Sequence, residues 1–509
     1  MVASNKVNEA GYYELVEARL SRLGEKDKEK SINLIGMIHK WNIFESMDNA
    51  YLEGSCYLID AVGLYYNFPV VEKTDGDYGN PNHGLKGEEE IKFVYRDYFN
   101  KELTHRFFVY AITDMEIVNP SNETALGYTL HFCSKEKFFT DRVDVRKSFK
   151  NGLISDYVKS IFEQYYINGE YGVDSTYDVP LTNESIVIEK TKGKQDIIIP
   201  NYKPDQALHM LTRRAISGVN SNKTQTYRFF QNRSKYYFAS HDKLNVTLDQ
   251  DFLDGNQKNK FIQVNAPDQS PLGQEFIMQN IVSIEFPISV NTIQDMNNGS
   301  YYKSTTEIDF MNRVILTTPY KYLDEYEDYV LPDTYQTSGG PGGGVDRHNN
   351  RSRHTKEFVD KHMTNYADTL VIKDYPYTDA GGKNDYIRQP AYYDQLFNPK
   401  EVNLYHHLNE MVDMEVYGRN TLTAGDSLEI EILMSIGNRD QEGGGLELDE
   451  ERSGFYLIES IDNIFYEDTY TQKIKMSKSG IRGAPENVDN YNGKPQTVSV
   501  FLENTRGIK

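Results

Sequence analysis

The sequence predicts an α+β fold that is mainly β, with all-β units on either side of a mixed α/β unit. Three observations carry this. Short segments alternate apolar and polar residues over 31–145 and again over 396–482, the period-2 pattern of half-buried strands. Residues 146–240 change to helical spacing. Tyrosine accounts for 39 of 509 residues, and this side chain suits strand faces and contact surfaces, because its ring packs while its hydroxyl stays hydrated.

Residues 1–30 read as a polar N-terminal arm ending in GEKDKEK, with Tyr13, Val16 and Leu20 at the spacing of a short helix. Strands follow from Ser31. GSCYLIDAV sets Cys56, Leu58 and Asp60 on one face, and EEIKFVYRD sets Ile91, Phe93 and Tyr95 on one face. Close spacing of such strands, broken by Gly, Asn and Pro, indicates a barrel or a sandwich. Residues 74–87 are a long turn-rich loop. Leu153, Ile154, Tyr157, Val158, Ile161 and Phe162 then repeat as a helix face. IIIP (197–200) reads as a short buried strand. PDQALHMLTRRAIS (204–217) reads as a helix with Pro204 in its first turn and Ala207, Leu208, Leu211 and Ala215 inward. TYRFFQNRSKYYFAS is a hairpin turning near Asn232 and Arg233. Residues 241–336 form a mixed β connecting region, 337–395 a glycine-rich linker and insert, and 483–509 a polar C-terminal tail.

Composition excludes several classes. With 38% hydrophobic and 13% aromatic residues the chain is too apolar for disorder, and the length corresponds to roughly three or four domains. No apolar run reaches the roughly 18–20 residues of a membrane span, so no membrane insertion is expected. The opening residues lack the apolar segment of a signal peptide. Two cysteines, Cys56 and Cys133, make no disulfide framework, and assembly in a reducing cytoplasm is expected. Lys and Arg number 55 against 76 Asp and Glu, a net charge of −21. That opposes general nucleic-acid binding, which rests on basic contacts to phosphate, but an acidic wall lets DNA pass without sticking.

The residues that could carry chemistry do not form a recognisable constellation. GGPGGG (339–344) lacks the spacing and the strand–helix setting of a phosphate loop. His348, His354, His406 and His407 occur in pairs, whereas a metal needs three or four convergent ligands. Glu88, Glu89, Glu90 and the run 447–452 read as solvated carboxylates. No catalytic, metal or cofactor site is therefore assigned, and no enzymatic activity is expected.

Five patches, in order, resemble one family. A strand ends in Ile43, Phe44, Glu45 and Ser46, a small-Gly-x-aliphatic turn follows at Gly54, and the next strand closes in Asp60. A Pro (Pro69) then precedes a Gly-Glu-Glu strand (Gly87, Glu88, Glu89). The strand-then-helix text at 138–166, the segment IIIPNYKP leading into the helix at Pro204, and the hairpin at 226–240 follow. LTAGDSLEIEI supplies an Ala424-Gly425-Asp426 turn, and SGFYLI supplies Ser453, Gly454 and Tyr456. Together they resemble the tail-hub proteins of contractile-tailed bacteriophages, over about 31–240 and 404–480. The match departs at 72–86, where this chain carries a longer loop.

The resemblance implies two similar β-barrel domains, at 31–145 and 396–482, with the α/β domain (146–240) between them. It implies a structural baseplate protein of the virion: a homotrimer whose ring of six barrels adapts a six-fold tail tube to a three-fold central spike. Implied partners are a second and third copy, the spike protein, the tail-tube or tube-initiator protein and the tape-measure protein, with DNA in transit during ejection and no cofactor. The other readings are a tail-associated cell-wall hydrolase and a carbohydrate- or receptor-binding baseplate protein, since tyrosine-rich β surfaces also suit sugar stacking.

Overall fold

The structure, a computed structural model, describes residues 10–22, 31–68, 84–118, 125–167, 181–218, 226–244, 260–263, 277–287, 291–309, 313–322, 356–363, 368–373, 398–405, 411–435, 446–449 and 452–478. The loop at 74–87 falls largely outside these residues. The glycine-rich stretch 337–354 and the tail at 483–509 lie wholly outside them.

The first β unit comprises β1 (Glu14–Arg22), β2 (Ile32–Asn33), β3 (Ile38–Ser46), β4 (Glu53–Asp60), the short helix α1 (Leu64–Asn67), β5 (Glu89–Arg96), β6 (Glu102–Ile117) and β7 (Leu126–Ser134). The strands run β3-β4-β7-β6-β5-β1-β2, antiparallel throughout. β6 serves two partners, pairing with β5 over Glu102–Phe108 and with β7 over Phe107–Ile117. Register shifts at Val109/Ala111 and Thr113/Glu116 interrupt its ladder with β7, and such bulges bend a strand and increase its twist. The sheet curls around an aromatic core. Trp41 of β3 is stacked between Phe93, 4.3 Å away, and Phe465, 3.9 Å away.

The segment predicted as an N-terminal helix is instead strand β1. Burial alternates between Ala18 and Leu20, which point inward, and the half-buried Glu17 and Arg19, while Val16 is exposed where the ladder with β5 shifts register between Leu15 and Glu17. The alternating charges of β1 meet those of β5 across the ladder: Arg22 lies 2.6 Å from Glu89, Glu17 2.7 Å from Lys92, and Glu14 3.4 Å from Arg96. Opposite charges facing each other favour this pairing over a solvated helix.

The α/β unit follows: α2 (Lys135–Thr140), β8 (Val145–Gly152), α3 (Ile154–Phe162), β9 (Ile186–Ile188), β10 (Gln195–Tyr202), α4 (Pro204–Thr212), β11 (Tyr227–Gln231) and β12 (Tyr236–Ser240). β8 pairs with β10, β11 and β12 form a hairpin, and β9 lies parallel to β12. Ile154, Val158, Ile161 and Phe162 of α3 share a buried core with Ala207, Leu208 and Leu211 of α4. The IIIP strand is half-exposed rather than buried: Ile197 and Ile199 point inward, while Ile198 is 72% exposed. β10 is one strand of a two-stranded sheet covered on one face only. Tyr51, between β3 and β4, joins this unit to the first, its hydroxyl 2.8 Å from those of Thr140 and Tyr166.

The remaining elements are β13 (Lys260–Gln263), β14 (Ile281–Glu285), α5 (Thr292–Asn298), β15 (Tyr302–Asp309), β16 (Val314–Lys321), α6 (Lys356–His362), β17 (Asp368–Lys373), β18 (Met411–Tyr417), β19 (Ser427–Ser435), β20 (Leu446–Leu448), β21 (Gly454–Tyr466) and β22 (Thr469–Ser477). β13 and β14, from the connecting region, pair with β19 and β18 and so complete the second β unit. β17, from the insert, pairs with β15 beside β16 in a separate three-stranded sheet.

The structure is mostly β. Among the described residues the two β units, predicted as separate, share one 14-stranded sheet. β21 makes the join: its start pairs with β19 and its end with β3. A strand of 13 residues is long enough to belong to both units, and Phe465 near its end fills the first unit's aromatic core.

Candidate functional site

The inward face of β3 carries Trp41, Ile43 and Glu45 in alternation, all fully buried. Glu45 is thus a carboxylate at a core position, and isolated burial of its charge would be strongly unfavourable. Its partner is Arg233 in the β11–β12 turn. Arg233 Nε lies 2.5 Å from Glu45 Oε1, with both side chains no more than 1% exposed, and the contact is an ion pair rather than a well-aligned hydrogen bond. Glu45 also accepts from Asn463 Nδ2 at 3.1 Å, from the Arg233 backbone N–H at 3.2 Å and from the Ala424 N–H at 3.4 Å. The Arg233 guanidinium donates to the Tyr470 hydroxyl at 3.2 Å, to the Tyr95 hydroxyl at 3.4 Å and to the Leu422 carbonyl.

The 418–426 loop closes this node. Gly425 has φ +88°, and a Cβ there would stand 2.7 Å from the Phe230 ring, so the turn requires glycine. Asn232 Nδ2 donates to Thr423 Oγ1 and to the Ala424 carbonyl, both at 3.2 Å. Asp426 accepts from Thr423 N and Oγ1, and burial pushes its carboxyl up to about 6 against those hydrogen bonds. Asn420 reaches the β5–β6 turn, with its N–H 2.8 Å from Asp97 Oδ2 and its Nδ2 2.7 Å from the Lys101 carbonyl. Gln472 Nε2 and the Tyr470 hydroxyl both donate to Asn463 Oδ1, at 2.8 and 2.7 Å. One set of buried bonds therefore ties together both β units and the α/β hairpin.

Of the residues that carry the resemblance, Ile43, Glu45, Ala424, Gly425 and Asp426 lie in or beside this node. Phe44 is half-buried on the opposite face of β3, and Ser46 accepts the Asp48 N–H at 3.2 Å. Gly54, read as part of a turn, is instead within β4 opposite Ile43, where a Cβ would stand 2.2 Å from the Asn42 carbonyl oxygen. The close approach of β3 to β4 imposes this glycine. Asp60 is a separate anchor, accepting the N–H groups of Val62 and Tyr65. Pro204 opens α4. Ser453, Gly454 and Tyr456 lie at the start of β21, where Ser453 Oγ accepts from Ile432 N and Tyr456 OH donates to the Arg452 carbonyl.

Sequence reasoning passed over Arg233 as a turn residue, and over Asn463, Tyr470 and Gln472 as ordinary strand residues. Glu45 was the available signal, since an acidic residue in phase with Trp41 and Ile43 requires a buried cation. Glu89 and Glu90, read as solvated, are buried. Glu89 accepts the N–H groups of Lys86, Gly87 and Glu88 and pairs with Arg22, and Glu90 lies 3.0 Å from Arg106.

Several solved structures are similar to this chain. The tail protein from Neisseria meningitidis MC58 matches over 92% of this chain and 97% of its own, at 8% identity and a TM-score of 0.47. The 43 kDa tail protein of prophage MuSo2 from Shewanella oneidensis matches over 91% and 98%, at 9% identity and a TM-score of 0.45. A Francisella PdpA–VgrG complex matches over 93% and 59%, at 11% identity and a TM-score of 0.39. No protein-family profile and no curated protein matches the sequence. At these scores the likenesses carry no argument, and the functional reading rests on the chain's own residues.

Chemically, the node fixes geometry. Glu45 and Arg233 are sealed from solvent and reach no solute. Among the described residues no group of three His, Cys, Asp or Glu is placed to hold a metal; His348, His354, His406 and His407 lie outside them. Cys56 and Cys133 are buried free thiols whose burial pushes both up, away from the reactive thiolate.

Proposed function

We propose that this chain is a structural baseplate hub of a contractile tail, without catalytic activity. In this reading its two β units act as two similar barrels and the α/β unit braces them. Three copies close a ring that adapts a six-fold tube to a three-fold spike and leaves a conduit for DNA. The ring binds the spike on one side and the tube or tube-initiator protein on the other, with the tape-measure protein passing through.

One observation carries this reading: segments that resemble the hub family, distant in sequence, meet at the Glu45–Arg233 node. An adaptor must transmit force between units without letting them slide. A buried ion pair whose two members each hold further hydrogen bonds resists such sliding, because any displacement strands a charge in the core. A heterologous contact repeated by rotation then closes the ring.

Immunogold labelling of isolated tail particles with an antibody to this chain tests the proposal. Label confined to the baseplate end of the tube is expected. Label along the tube or sheath, or release of soluble fragments from peptidoglycan by the purified chain, would overturn it.

A further inference from the structure

Beyond Tyr110, β6 pairs with β7 on one side, and among the described residues its other edge is open. This stretch is apolar as well as open: Tyr110, Met115 and Ile117 are 50%, 47% and 62% exposed. Open apolar edges invite pairing with another chain. The stretch also carries two acids, Asp114 and Glu116, whose described bonds are to the Thr113 and Tyr57 hydroxyls and not to a base.

The outer face of the β8–β10 sheet has the opposite character. Lys150, Lys192 and Lys194 are exposed, and none has an acidic partner among the described residues. Lys150 lies on β8 and Lys192 and Lys194 just before β10, to one side of Ile198, the residue left outward by the alternation of β10; Asp196, also exposed, precedes it by two and accepts the Asn151 N–H, and Tyr202 is exposed as well. In a chain of net charge −21, three lysines against one aspartate make this a locally basic patch beside an apolar residue.

The two surfaces belong to different units, the arm to the first β unit and the basic face to the α/β unit. The α/β unit joins the sheet where β7 ends at Ser134, next to Phe107, and where Tyr51 meets Thr140. The β6–β7 arm runs the other way, to Ile117 opposite Leu126, roughly 25–30 Å along the strand. Two different surfaces of opposite charge can meet head to tail between copies, as a closed ring requires.

We infer that the open β6 arm of one copy docks on the β8–β10 face of the next, with Asp114 and Glu116 against the lysines. This rests on the ring-forming reading above and names the surfaces that close the ring.

Sedimentation velocity of the full chain and of two reversals, D114K/E116K and K192E/K194E, tests it. Each reversal alone is expected to weaken self-association at least tenfold, and an equimolar mixture of the two to regain part of it, since both junctions between unlike copies again pair opposite charges and only a junction between like copies does not. Wild-type association should weaken as salt is raised. Reversals that assemble like the wild-type chain would overturn this interface while leaving the hub reading intact. A wild-type chain that stays monomeric would overturn both. Loss of DNA binding by K192E/K194E with unchanged assembly would assign the basic face to nucleic acid instead.

Discussion

Arg233→Met is the sharpest perturbation of the node. It leaves Glu45, fully buried, without the guanidinium 2.5 Å from its Oε1, and it takes donors from the Tyr95 and Tyr470 hydroxyls and the Leu422 carbonyl. Removing one member of a buried pair typically costs about 3–5 kcal/mol, because the other charge is left uncompensated. At roughly 2–4 °C per kcal/mol for a cooperative unit of about 150–250 residues, the melting temperature should fall by about 6–20 °C. The assay is calorimetry with hydrogen exchange, and β3, β21 and the 418–426 loop should lose protection together, since all three meet at this point. The double variant E45M/R233M should be less damaged than the sum of its singles, because apolar replacement of a buried pair is often neutral. A loss under about 1 kcal/mol for R233M, or strict additivity in the cycle, would refute the assignment of the node as the joint between units.

Gly54→Ala should destabilise by about 1–3 kcal/mol, since the new methyl meets the Asn42 carbonyl and the Phe132 ring with no room to shift; an unchanged denaturation midpoint would contradict the close approach of β3 and β4. Leu211→Ala, on the fully buried face of α4, should cost about 2–5 kcal/mol in denaturant unfolding, and a wild-type curve would remove α4 from the core. Asp426, held at about 6, has a folded pKa above its unfolded value of about 3.9. Its stabilising contribution is therefore full below about pH 4 and is lost as pH rises to about 6, a change on the order of 3 kcal/mol. D426N should flatten that part of the stability profile, and a profile that keeps its slope would place the titration elsewhere.

β5 was legible because Ile91, Phe93 and Tyr95, all fully buried, recur at every second position with Lys92 and Arg96 on the other face, even though Val94 on that face is buried as well. The helix at Leu211 was legible from its spacing and its leading proline. The N-terminal strand was not, because Tyr13, Val16 and Leu20 fall by chance at helical spacing while the charges that select a strand lie on β5, more than sixty residues away. The shared sheet was hidden for a similar reason. The text of β21 reads as one long amphipathic strand and does not reveal that its two halves face different partners. Within the node, Glu45 stood out by phase, whereas Arg233 looks like any polar residue in a hairpin turn until the pairing of β3 with β21 brings the units together.

The central claim is a ring of three copies, and the native mass of the purified full-length chain tests it most directly. Native mass spectrometry at micromolar concentration should give a dominant species of three chain masses that falls apart as salt is raised. A chain that stays a monomer at tens of micromolar, or that forms a two-fold dimer, would contradict the account.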